Sequence, residues 1–162
     1  VMSRDDYRVT FGYTEPRKFV YRQPYVTTAA GALVRQFTNQ AKGLDGAIAV
    51  LTEHLPDGTG KVNYYEWYYG TLVLFQAQGE PWKVWNKALK DALKHVMVYK
   101  DGDKNCDWGS ADPAKCTWGE SGGRVYATAC IALCMEVYYR YKVLDTAAGK
   151  SGDLLKIPGP KK

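Results

Sequence analysis

The sequence predicts an all-α fold, a partial α/α toroid or solenoid built of helical hairpins with about three inner helices. Three observations carry that reading. Apolar residues recur at helical spacing in five segments separated by Pro, Gly and Asn breakers. Burial class alternates along them: three segments are apolar nearly all round, and the two between keep a charged stripe. A short signature also recurs near the starts of the three apolar segments, as Tyr25-Val26-Thr27, Tyr69-Gly70-Thr71 and Tyr126-Ala127-Thr128. In a two-layer array the inner helices touch neighbours on several sides and lose their polar stripe. A four-helix bundle would give every helix one similar stripe.

Taken in order, residues 1–23 are polar and aromatic with Gly12 and Pro16 as breakers, and read as an irregular leading segment. The repeat domain is expected over 24–157. Pro24 suits a first turn, and Tyr25, Val26, Ala29, Ala30, Leu33, Val34 and Phe37 give a helix to about Ala41. A second runs from Leu44 through Ala47, Ile48, Leu51 and Leu55, and stops at Pro56-Asp57-Gly58. Asn63 is a good N-cap for a third helix over 64–76. Pro81 starts a fourth, with Trp82, Trp85, Leu89, Ala92 and Val96 on one side and Lys83, Asn86, Lys87, Lys90, Asp91 and Lys94 on the other. Residues 101–123 form a long connection without helical period. The fifth segment, 121–141, is apolar on nearly every face from Val125 to Tyr139, which predicts burial on more than one side and a central place. A short amphipathic helix is expected within 142–157, and 158–162 reads as a tail.

Composition bounds the function classes. The chain is 46% hydrophobic and 24% charged, a globular composition, and no apolar run reaches the length of a membrane span. Thirteen Tyr and five Trp suit packed layers, pockets or interfaces. The net charge is +5, with lysines gathered between Lys83 and Lys100 and near the end. That reads as a solvated helix face and tail, and without an arginine-rich stripe or a recognised module it argues against nucleic acid. The start in a polar stretch leads us to expect the C-terminal part of a longer or processed protein.

The segment Tyr64-Tyr65-Glu66-Trp67-Tyr68-Tyr69-Gly70-Thr71 through Gln76-Ala77-Gln78-Gly79-Glu80-Pro81-Trp82 resembles the prenyltransferase and squalene-oxidase repeat proteins. So does Asp107-Trp108-Gly109-Ser110 followed by Gly122-Gly123-Arg124-Val125-Tyr126-Ala127-Thr128-Ala129. The resemblance covers roughly residues 24–141 and implies helical hairpins in an α/α toroid. It carries over no activity. The acid motif of the terpene cyclases, Asp-x-Asp-Asp, is not reproduced by Arg4-Asp5-Asp6 or Asp101-Gly102-Asp103. The Asp, Cys and His zinc ligands of the protein prenyltransferases have no match. Cys116-Thr117-Trp118-Gly119-Glu120-Ser121 is not the Cys-Gly-Glu-Gln of the complement-type thioester domains that share the toroid.

Two function classes follow. The first is a non-catalytic α/α-repeat module that binds a protein or ligand on an aromatic-rich face, with a protein partner or the remainder of a longer chain. The second is part of an isoprenoid enzyme of terpene cyclase or prenyltransferase type, its cavity lined by Tyr64, Trp67, Tyr68 and Tyr126 so that ring faces stabilise a carbocation. Glu66, Glu136 and Arg124 are the polar residues that apolar helices would carry inward; a buried Glu paired with Arg124 reads as a structural ion pair or as a group with a shifted pKa in a pocket, the structural role being the better reading. Tyr64, Glu66, Trp67, Tyr68, Arg124 and Tyr126 are therefore the candidate ligand-binding residues. His54 and His95 read as ordinary boundary histidines.

The remaining motifs lie in or near the long connection. Cys106 and Cys116 stand either as free thiols or as a disulfide, which would add about 2 to 3 kcal/mol and place the protein outside the cytoplasm. Cys130 and Cys134 read as small buried apolar residues. Asp101, Asp103, Asn105, Asp107 and Asp112 space their oxygens like a calcium loop. Cys106, however, replaces the turn glycine and Asp112 the bidentate Glu, so an acidic surface loop is the better reading. Zinc through Cys106, Cys116 and His95 lacks paired ligand spacing. Nothing in the sequence calls for a cofactor or a catalytic residue.

Overall fold

The computed structural model describes residues 25–99 and 109–143, and in them the chain is mostly helical. Helix α1 (Tyr25–Phe37) buries Thr28, Ala29, Ala32 and Gln36, which share one face. It ends where Asn39 turns left-handed, four residues before the expected stop. Gly43, also left-handed, opens α2 (Leu44–Glu53), which buries Ala47 and Leu51 and stops at His54 ahead of Pro56. The Asn63 side chain accepts from the Tyr65 N–H at 3.1 Å and starts α3 (Tyr64–Ala77) as the capping residue suggests. A turn follows with Gln78 at φ 57° and Gly79 at φ 66°, and α4 (Gly79–Val96) begins at once. Helix α4 buries Trp85, Leu89, Ala92 and Val96, the single stripe its sequence prescribes.

The long connection is more ordered than its lack of period suggests. Strand β1 (Met97–Tyr99) pairs antiparallel with β2 (Gly109–Ala111), Met97 opposite Ala111 and Tyr99 opposite Gly109. Asp112 then caps a 3-10 turn over Pro113–Lys115. Helix α5 (Gly119–Met135) starts before the Gly-Gly pair and breaks at Gly123, at φ 65° and ψ −167°. A short α6 (Val137–Arg140) completes the described chain. The leading segment 1–23, the calcium-like positions Asp101, Asp103, Asn105 and Asp107, Cys106, and nearly all of the helix expected in 142–157 lie outside the described residues, as does the tail.

Helix α3, not α5, is the hub. It packs against α1, α5 and α4 and touches α2, while α2 lies against α1 and α4. Nine of its fourteen residues are buried, including Tyr64, Trp67, Leu72, Val73 and Leu74. Helix α5 commits only the face bearing Ala127, Cys130, Ile131 and Cys134, and Val125 is 84% exposed. An apolar sequence on all sides is thus covered on one side by the described residues.

Two hydrogen bonds fasten helices to α3. The Gln36 amide of α1 donates to the Val73 carbonyl at 3.0 Å. The Trp85 indole N–H of α4 donates to the Thr71 hydroxyl at 3.0 Å. Trp85 is fully buried and lies over Gly70, where an added Cβ would come within 2.6 Å of two indole carbons.

That geometry makes Gly70 an absolute choice of size. Gly70→Ala gains about 1 kcal/mol of helix propensity, but overpacking against a rigid buried ring costs about 1 to 3 kcal/mol. The clash should win, with net destabilisation of up to about 2 kcal/mol by urea denaturation. Gly60→Ala, where the new methyl meets nothing within 4 Å, serves as the control.

Candidate functional site

Helix α3 carries rings at 64, 65, 67, 68 and 69, so at 100° per residue they leave the axis in nearly every direction. Packing sorts them into two groups. Tyr64 and Trp67 are 0% and 3% exposed and meet each other at 5.5 Å between ring centres. The Tyr64 hydroxyl donates to the Asp112 carbonyl at 3.1 Å, which ties α3 to the connection before α5. Burial raises the Tyr64 phenol far above its ordinary value. These two rings are part of the packed core, and the expectation that they line a cavity is corrected accordingly.

The other rings stay partly open. Tyr65 and Tyr69, one turn apart, stack with centroids at 6.3 Å and 19° between planes. Tyr126 of α5 meets Tyr65 edge-on at 5.3 Å, and Tyr68 meets Tyr69 at 5.0 Å. The result is a ring-to-ring seam across α3 and α5, with Tyr65 41% exposed. Of the four, Tyr68 and Tyr126 are among the candidates named from the sequence. Tyr65 and Tyr69 are not, although their i, i+4 spacing would have placed them on one face.

Glu66 takes a third direction. It is 3% exposed in the first turn of α3, and its Oε1 accepts a hydrogen bond from His54 Nδ1 at 2.7 Å. The imidazole side chain is half exposed and stacks on Tyr25 at 4.0 Å with 11° between planes. So the end of α2 and the starts of α1 and α3 meet at one buried carboxylate. The expected pairing with Arg124 is corrected: Arg124 is exposed and donates to the Ser110 hydroxyl at 2.8 Å. Glu136 pairs with Arg140 at 3.2 Å on the surface. His54 is consequently no ordinary boundary residue. No sequence signal marks it, because the bond spans a loop whose path spacing does not dictate.

Cys116 is a free, fully buried thiol, the first of the two alternatives, while Cys106 lies outside the described residues. Cys116 sits where Val62 forms an isolated bridge, with the Thr117 N–H donating to the Val62 carbonyl at 2.8 Å. Cys130 and Cys134 are free and buried as expected. The Asp112 carboxylate is occupied in capping Ala114 at 2.9 Å. Among the described residues, no group of three or more His, Cys, Asp and Glu side chains is placed to hold a metal ion, and no helix is long and apolar enough to cross a membrane.

No family model, curated protein or solved structure matches this chain.

Burial pushes the Glu66 carboxyl above its ordinary range, and the facing His54 opposes that shift. A carboxyl with a raised folded-state value holds its proton more readily folded than unfolded. Its contribution to stability is therefore full below the ordinary value of 4.5 and is lost as pH rises through the raised value. Glu66→Gln, which keeps an oxygen for His54 and removes the charge, should flatten denaturant stability over that window. At neutral pH it should be at least as stable as the native chain. His54→Ala strips the carboxylate of its hydrogen bond and should cost about 1 to 3 kcal/mol at neutral pH.

Proposed function

We propose that the chain is a non-catalytic helical binding module that engages a protein or ligand through the tyrosine seam of α3 and α5, within a larger protein or assembly. The partly open ring cluster of Tyr65, Tyr69, Tyr68 and Tyr126 carries this reading. Tyrosine offers large, amphipathic contact area with only two side-chain torsions to freeze, which is why it is enriched at recognition surfaces. The seam is also held rigid from below by the α3 core, so little ordering remains to be supplied on binding.

A partial α/α array of toroid or solenoid type is the arrangement that fits best with this function. Its support is the side-by-side row of α1, α3 and α5 with α2 and α4 behind, each outer helix packed on the inner one that precedes it. In such an array further repeats would cover the terminal faces, consistent with the 61% exposure of Val34 and 56% of Phe37 on α1. The isoprenoid-enzyme reading draws less support, since two of its four cavity rings, Tyr64 and Trp67, are in the core.

Photo-crosslinking tests the seam. A benzoylphenylalanine in place of Tyr65 should give discrete adducts in extract of the source organism, and the same probe at exposed Glu53 on α2 should not. Adding Tyr69→Ser should weaken the interaction about tenfold if the rings act as anchors. Equal crosslinking from positions 65 and 53, or adducts insensitive to Tyr69→Ser, would show that the seam is not the binding face.

A further inference from the structure

The outer side of α4 presents an open, solvent-exposed face formed by Lys83, Asn86, Lys87, Lys90, Asp91 and Lys94. Lysine side chains on such a face offer methylene stems as well as ammonium groups. The four lysines fall at i, i+4, i+7 and i+11, one line about 16 Å long at 1.5 Å per residue. The opposite face of the same helix is locked in the core by Trp85, Leu89, Ala92 and Val96, so the backbone that carries the line is held in place.

Internal pairing arranges the charges without cancelling them. Asp91 holds Lys94 at 2.6 Å and Lys87 at 3.2 Å, and Glu80 holds Lys83 at 3.6 Å. Lys90 pairs with no carboxylate in these contacts and sits over the Tyr138 ring at 5.8 Å from its centre. The Tyr138 hydroxyl in turn bonds Asn86, so α6 borders this face on one side. Four positive and two negative groups leave a net charge of +2 on the helix face.

We propose that this face is a docking site for an amphipathic acidic polypeptide segment, a surface separate from the tyrosine seam. Carboxylates spaced at helical intervals on the partner would meet the ammonium line, and apolar side chains would lie against the lysine methylenes. A nucleic-acid backbone fits less well. The line contains no arginine to grip phosphate bidentately.

The test uses the 162-residue chain and a fluorescent helical peptide with Glu and Leu at complementary spacing. The peptide should bind, weaken as salt is raised, and lose about tenfold in affinity to Lys87→Gln/Lys90→Gln, a loss expected for removing two charge contacts. Replacing its Leu by Ser should weaken it as well. Lys61→Gln, which alters a lysine elsewhere, should bind the peptide as the native chain does. Circular dichroism establishes that each variant is folded, and Lys83→Gln/Lys90→Gln, which leaves the Asp91 pairs intact, provides a second route to the same loss. Failure of the peptide to bind, or binding by both double variants as tight as by the native chain, overturns the proposal. So does tighter binding of a single-stranded oligonucleotide or of phosphatidylserine vesicles than of the peptide.

Discussion

The structure depends on one polar contact inside an apolar core, the Trp85 indole N–H of α4 donating to the Thr71 hydroxyl of α3 at 3.0 Å. A buried indole N–H without a partner would cost on the order of 1 to 3 kcal/mol. The tryptophan can therefore lie flat on α3 only where both a hydroxyl and a residue without a side chain are presented. Thr71 and Gly70 present them consecutively. The close approach of α4 follows, and with it the placement of the Trp82 ring against Phe75 at 5.4 Å and Tyr138 at 5.7 Å.

Much of the helical order was legible from the sequence because local chemistry decides it. Asn63 caps α3, Pro56 with the residues around it ends α2, and the regular spacing of Trp85, Leu89, Ala92 and Val96 lays down the face of α4. These are choices made within a turn or two of the chain. The central place of α3 was not legible in the same way. Helices α3 and α5 are both apolar all round, but α5 fills its apolar positions largely with Ala and Cys, which bury little area each. Periodicity records which residues could be buried, and only the neighbours decide which are. The β1–β2 pair escaped notice because three-residue strands offer too few positions for an alternation to show.

The same distinction explains what could be read of the candidate site. That rings crowd the start of α3 is plain in the sequence. Which of them enter the core depends on where α1, α4 and α5 leave gaps, so Tyr64 and Trp67 vanish inward while Tyr65 and Tyr69 remain at the surface. The His54–Glu66 bond lies further beyond reach. It depends on the loop from Leu55 to Val62 carrying the end of α2 back to the first turn of α3, and no spacing rule supplies that path.

A carboxylate as deeply buried as Glu66 needs a physical reason to persist, since an apolar side chain there would avoid the desolvation cost. Two local features lower that cost without cancelling it. The first turn of a helix presents unpaired N–H groups and a partial positive charge to a carboxylate, and His54 supplies a donor at 2.7 Å. In return the bond specifies a geometry that hydrophobic contact cannot, because it is short and directional where apolar packing is neither. It brings the end of α2 to the first turn of α3, and the stacked Tyr25 ring adds the start of α1. The Thr71 junction joins α3 to α4, while Glu66 joins it to the end of α2 and, through the stacked Tyr25 ring, to α1 less than two turns away. Between them two polar side chains of one apolar helix fix how three of its neighbours meet it, and the tyrosine seam inherits its rigidity from that arrangement.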